Sequence, residues 1–222
     1  MNVVGFVPHR GQLKVINEWV KTDVKFCTLS TSRQWGKSLL GMNSLFYWLL
    51  NNQKAKGAWI SPIYKQCRKV FEEMTNASHQ LIKHSNKAEL TIEFINGSTL
   101  QFLSADRGDS IRGFSFHYLV IDEAAFLKQD VFEQAILPTL AAIGRKCLII
   151  STPKGKNWFY SYYLKGSDGG SDYYSVRGYT QDNPYIDRSF IREMKKSLPP
   201  NIFAQEFEAE FMVYSDYYDS II

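Results

Sequence analysis

A chain of 222 residues is long enough for one large core with a small appendage, and apolar residues at 45% with aromatics at 15% exclude a disordered chain. Its 26 basic against 22 acidic side chains leave a formal charge of +4, which suits a polyanionic partner without requiring one. Cys27, Cys67 and Cys147 have no paired spacing and read as small core residues in a reducing compartment. No apolar run approaches the ~20 residues that span a bilayer, and no secretory signal opens the chain, so a cytosolic protein without a membrane partner is expected.

In chain order, H-R-G-Q-L-K-V-I comes first, placing Gln12 on an amphipathic stretch. Residues 25–30 read as a strand, followed by T-S-R-Q-W-G-K-S (Thr31 to Ser38) and a helix over 37–50 with an apolar stripe at Leu39, Leu40, Met42, Leu45, Phe46 and Leu49. G-A-W-I-S-P (57–62) predicts a short strand ended by proline, then a helix over 64–84. Strands at 89–94 and 99–103 flank I-N-G-S, a hairpin-turn signal. A strand at 117–122, a helix at 131–140 and an apolar strand at 146–152 follow. Strands alternating with helices predict an α/β fold with a mostly parallel central sheet flanked by helices. After Pro153 the character changes: 165–172 (K-G-S-D-G-G-S-D) is a linker by composition, 173–179 could add a strand, Q-D-N-P (181–184) is a turn, and helices at 188–198 and 202–211 flank Pro199-Pro200. The division expected is a core over 1–164 and a linker with a small helical subdomain over 165–222.

Two motifs carry chemistry. Gly36-Lys37-Ser38 opens a helix directly after a strand, the placement of a phosphate-binding loop whose backbone N–H groups cradle phosphates. Lys37 then reaches the β- and γ-phosphates of ATP, and the Ser38 hydroxyl holds Mg²⁺. The loop departs from the usual pattern at Thr31, which occupies the first glycine's place. The second motif, Y-L-V-I-D-E-A (118–124), ends a buried strand in two carboxylates: Asp122 completes the Mg²⁺ site and Glu123 polarises the attacking water. Together they predict a nucleotide hydrolase. His9, His79, His84 and His117 show no ligand spacing, which argues against zinc.

These residues resemble the ATPase domain of the large terminase subunit, the viral motor that packages double-stranded DNA. S-R-Q-W-G-K-S (Ser32 to Ser38) is similar to that family's phosphate loop, D-E-A-A-F (Asp122 to Phe126) to its Walker B strand end, and S-T-P-K-G (Ser151 to Gly155) to its coupling motif. D-N-P-Y-I-D (Asp182 to Asp187) with Q-E-F-E-A-E-F (Gln205 to Phe211) resembles its linker subdomain. The resemblance implies a P-loop core of the additional-strand, catalytic-glutamate type. It also implies ATP with Mg²⁺ bound by Thr31, Ser32, Arg33, Gln34, Trp35, Gly36, Lys37 and Ser38, double-stranded DNA and a portal or procapsid as partners, and a homo-oligomeric ring, a pentamer by resemblance. The place of action implied is the host cytoplasm. In that family a nuclease domain usually follows about where residue 222 stands, so no endonuclease activity is expected of this chain.

Further roles follow from the resemblance. Thr152 is placed to sense hydrolysis, although T-P also reads as an ordinary strand-ending turn. Gln12 resembles an adenine-reading glutamine, and reads equally as a solvent-facing one. An arginine finger should neutralise the developing γ-phosphate charge: Arg33 in cis, or Arg112 or Arg145 in trans. Contacts to the DNA backbone fall to Lys154, Lys156, Arg107, Arg112, Lys54 and Lys56, most of which read as well as solubilising charges. The aromatic run Trp158 to Tyr163 reads as packing between core and appendage. A helicase needs a second motor domain for which 222 residues leave no room, and a nucleotide-binding scaffold has no use for Glu123.

Overall fold

The computed structural model describes residues 6–213. Among them an eight-stranded sheet runs in the order β3-β4-β5-β2-β6-β7-β1-β8. Its strands are β1 (Phe26–Thr31), β2 (Lys56–Ser61), β3 (Ile82–Asn86), β4 (Thr91–Phe94), β5 (Thr99–Ser104), β6 (Tyr118–Asp122), β7 (Lys146–Ser151) and β8 (Tyr173–Gly178). Six of them, β5-β2-β6-β7-β1-β8, are parallel, while β4 pairs antiparallel with both β5 and β3. The additional strand is β7, inserted between the phosphate-loop strand β1 and the carboxylate strand β6.

Both faces of the central strands β2, β6, β7 and β1 are covered, so their residues are buried without alternation, whereas β4 and β5 alternate. On one face Leu29, Trp59, Val120, Leu148 and Ile150 pack with α1 (Arg10–Val15, continued as a wider turn to Val20), α2 (Lys37–Asn51) and α3 (Tyr64–Ala77). On the other, Ala58, Ile60, Leu119, Ile121, Cys147 and Ile149 meet α4 (Gln129–Val131, continued by irregular turns to Leu140) and α5 (Trp158–Ser167). Successive strand residues alternate between the two cores, as the two-residue period of a strand demands. Cys27, Cys67 and Cys147 are all free and buried.

Three expectations need correction. The helix expected over 64–84 ends at Ala77, where the Ser78 hydroxyl donates to Met74 O at 2.6 Å and closes it. Residues 82–86 are instead the edge strand β3, and Asn86 Oδ1 accepts from Ala88 N and Glu89 N to turn the chain into β4. The core does not end at 164: residues 173–178 form β8, paired along its whole length with β1. The linker expected over 165–172 is partly the last turn of α5, and Phe26 N donates to Asp172 O at 2.9 Å at its end. The helical appendage itself is present as α6 (Arg188–Ser197) and α7 (Pro200–Glu208). The ends of the two expected segments, 1–5 and 214–222, lie outside the described residues.

Candidate active site

All six parallel strands deliver their C-terminal ends to one edge of the sheet, the position at which open α/β sheets take ligands. The phosphate loop leaves β1 there, and Asp122 ends β6 two strands away. Gly36 has φ +95°, and a Cβ on it would lie 2.6 Å from Gln12 Nε2, so both backbone conformation and space demand glycine. Thr31 is tolerated at the first glycine's place because it is still extended strand, opposite Gly178 of β8. The small residue is on the neighbouring strand: a Cβ at Gly178 would come within 2.4 Å of the Trp35 indole nitrogen.

The loop is clamped from behind by segments distant in sequence. Ser32 N donates to Gly178 O at 3.0 Å, Trp35 Nε1 to Asp182 Oδ2 at 3.3 Å and Asn183 Nδ2 to Gln34 O at 2.7 Å. Thr180 Oγ1 lies 2.8 Å from Ser32 Oγ and 3.0 Å from Arg33 O. From α7, Glu206 accepts from Arg33 twice, at its backbone O from Arg33 N and at its carboxylate from the Arg33 side chain. Thus D-N-P, which the sequence shows only as a turn, is part of the phosphate loop's support.

On the open side, Lys37 Nζ sits 3.1 Å from Glu123 Oε1. Ser38 Oγ lies 3.3 and 3.4 Å from the two Asp122 carboxylate oxygens. Glu123 adopts a left-handed backbone, φ 50° and ψ 42°, a strained conformation for a non-glycine residue and one that active sites favour. The turn is held by Glu123 N donating to Asp122 Oδ1 and by Ala125 N donating to Ser151 Oγ. Asp122 is buried, and burial followed by the Glu123 charge pushes its carboxyl up to about 7, against the pull of Lys37 and Ser38. Two carboxylates with one lysine between them leave the site short of positive charge. A hydroxyl and a carboxylate oxygen together are what Mg²⁺ uses when phosphate oxygens and waters fill its other positions.

Arg33, Gln34, Lys37, Glu123 and Thr152 line one cavity of about 490 Å³ with Pro62, Ile63, Gln66 and Phe126. Other expected residues are elsewhere. Gln12 is buried behind the loop, its Oε1 accepting from His9 N at 3.0 Å and its Nε2 donating to Gly36 O at 3.0 Å. The amide is occupied as a brace, so the geometry does not support the adenine-reading role. The Trp35 ring is likewise buried, edge-on to His9 at 4.8 Å, and Thr31 and Ser32 are buried beneath the loop. Arg145 precedes β7 at the opposite edge of the sheet, about 20 Å away along a six-residue strand, and donates to Asn52 Oδ1 at 3.2 Å. Arg112 stands on an exposed loop, paired with Asp109 at 3.4 Å. Lys154 lies over the Phe126 ring at 4.7 Å and Lys156 over Tyr160 at 5.4 Å, while Lys54, Lys56 and Arg107 are exposed away from the cavity lining. The aromatic run does pack: Trp158 stacks on Phe132 at 4.0 Å, and Phe211, just after α7, meets Phe159, Tyr160 and Tyr163.

Gln66, Ser151 and Glu206 were not singled out as site residues from sequence. For Gln66 a signal exists: it lies one turn into the helix that follows β2, whose end shares the loop's edge. The Arg33–Glu206 contact joins residues 173 positions apart, and nothing local announces it.

A parallel sheet with a glycine-lysine-serine loop after one strand, and an aspartate-glutamate pair closing another two strands away, defines a P-loop nucleotide-binding protein. Residues 28–218 match the family described as terminase large subunit, T4likevirus-type, N-terminal, and the chain belongs to it. It is 32% identical over 216 residues to the terminase large subunit of Escherichia phage T5, covering 95% of this chain and 49% of that protein. To that of Thermus virus P23-45 it is 27% identical, covering 96% and 50%. The chain thus spans about half the length of the curated relatives it matches. The fold superposes on the large terminase ATPase domain of Thermus phage P74-26 with a TM-score of 0.82 at 27% identity, covering 95% and 96% of the two chains.

Proposed function

We propose that this chain hydrolyses ATP with Mg²⁺ and that the hydrolysis drives double-stranded DNA into a viral procapsid. The observation that carries the reading is the Lys37–Glu123 pair at 3.1 Å beside the Ser38–Asp122 pair, in one cavity at the strand ends. Amides of residues 34–38 would cradle the phosphates, and Ser38 with Asp122 would hold Mg²⁺, which would supply charge neutralisation on the phosphates. A γ-phosphate competes with Glu123 for the Lys37 ammonium. Once Lys37 turns to the phosphate, Glu123 is released to orient and polarise the attacking water. Thr152, at the cavity wall, registers the change at the γ-position and passes it to the segment from Lys154. The sense of the family membership is the same, since the P74-26 relative is an ATPase domain.

Arg33 lines the cavity and reaches the γ-phosphate in cis by leaving Glu206. Alternatively, Arg112 or Arg145 acts in trans from a neighbouring subunit of a homo-oligomeric ring, by resemblance a pentamer, at the portal in the host cytoplasm. Arg112 is the freer of the two, since its partner Asp109 is fully solvated and such a pair contributes little. ATP turnover against protein concentration, with and without duplex DNA, tests this. Turnover rising faster than linearly supports a shared site, and constant specific activity shifts the finger to Arg33. Absence of nucleotide hydrolysis under every condition refutes the proposal.

A further inference from the structure

Resting on the reading of this cavity as the hydrolysis site, we propose that Gln66 is a catalytic residue that holds the attacking water together with Glu123. Gln66 stands in the first turn of α3, its N–H donating to Ile63 O at 3.1 Å, and its side chain lines the same cavity as Lys37, Glu123 and Thr152. Its Oε1 has no hydrogen-bond partner in the fold and is covered from solvent in the cavity, so it meets a cavity water once the amide turns about its soft terminal torsion. Buried polar atoms are normally paired, so an orphaned one calls for a donor that arrives with a ligand. Of the other lining residues, Pro62, Ile63 and Phe126 carry no side-chain donor, and Arg33 and Lys37 are paired with Glu206 and Glu123.

The chemistry of an amide narrows what that donor is. A side-chain carbonyl accepts and does not donate, so phosphate oxygens cannot satisfy Oε1, whereas a water can. A water poised for in-line attack has two hydrogens to place and one lone pair to aim. Glu123 takes one hydrogen, Gln66 Oε1 takes the other, and the lone pair points at the γ-phosphorus. As the water oxygen bonds to phosphorus, the bond from phosphorus to the β,γ-bridging oxygen breaks and ADP leaves. The water's proton passes to Glu123 and then to the released phosphate. The topology supports the placement: β2, which leads into α3, pairs directly with β6, which leads into Glu123.

The test is Gln66→Met, which keeps length and helix preference while removing both polar atoms. ATP turnover, affinity for ATPγS and unfolding temperature are measured on the full chain at saturating duplex DNA, beside wild type and Glu123→Gln. The expected result is kcat lower by roughly 10²-fold, as for loss of one preorganised catalytic hydrogen bond. ATPγS affinity should stay within about threefold of wild type, since the water contact is absent from the ground-state contacts. Unfolding temperature should not fall, because the carbonyl removed has no partner in the fold. A variant whose kcat stays within about threefold of wild type, while Glu123→Gln is inactive, overturns the role of Gln66 alone. So does a loss confined to ATPγS affinity. Turnover retained by Glu123→Gln overturns the reading of the cavity and the inference with it.

Discussion

Asp122→Asn should make the protein more stable and functionally inert. In the fold the Asp122 carboxyl titrates near 7, raised first by burial and then by Glu123, against an ordinary value of 3.8. Below about pH 4 both folded and unfolded chains hold this proton, and the group has no effect on stability. Between about pH 4 and 7 the unfolded chain releases the proton while the fold keeps it, so stability falls as pH rises. Above about pH 7 the loss levels off at about three pH units, or about 4 kcal/mol. Asparagine has nearly the same shape, carries no charge, and still accepts from Glu123 N through its carbonyl. Allowing for the lost attraction of Lys37, the gain at pH 8 should be about 2–4 kcal/mol, or about 5–10 °C for a domain of this size. At pH 4.5 it should shrink towards zero. Urea unfolding at the two pH values, in EDTA and without nucleotide, measures it. An Asp122→Asn protein no more stable than wild type at pH 8, or more stable by the same amount at both pH values, refutes the argument. Adding Mg²⁺ with ATPγS should raise the wild-type midpoint and leave the variant's unchanged.

Lys37→Met should lower kcat/KM for ATP by at least ~10²-fold in phosphate-release assays, because it removes the ammonium that pairs with Glu123 and that the proposed mechanism turns to the γ-phosphate. Gly178→Ala should unseat the phosphate loop from β8, since its methyl meets the Trp35 indole; unfolding should drop by about 1–3 kcal/mol and ATPγS affinity with it. Lys146, buried with its Nζ donating to Trp19 O and Val24 O, is lowered by burial to about 8. A lysine with a depressed value costs stability while protonated, so wild-type stability should rise relative to Lys146→Met as pH passes from about 8 to 10 in urea titrations.

Much of this fold could be read from sequence because both faces of the sheet are buried. The runs at 117–122 and 146–152 have unbroken apolar centres, Tyr118 to Ile121 and Cys147 to Ile150, and the glycine of I-N-G-S has the positive φ a tight turn requires, +79° at Gly97. β3 was hidden because Ile82–Asn86 is an exposed edge strand whose polar residues extend the helical pattern of α3 without interruption. Its identity rests on pairing with β4, which no local pattern contains. β8 was visible as a strand, but its place next to β1 is a long-range fact. The meeting of Lys37 with Glu123 and of Ser38 with Asp122 was legible because strand ends and loop spacing place those groups by local rules. Gln12 and Trp35 illustrate the limit. Both lie in the expected motif region, and tertiary packing turns them into supports behind the loop.

Activation of water by Glu123 at the γ-phosphate can be followed in single-turnover phosphate release. ATP is bound in excess enzyme with Mg²⁺, and release is followed for wild type and Glu123→Gln alongside ATP affinity. The variant should bind ATP at least as tightly as wild type and release phosphate at least ~10²-fold more slowly. A variant that releases phosphate at the wild-type rate contradicts it.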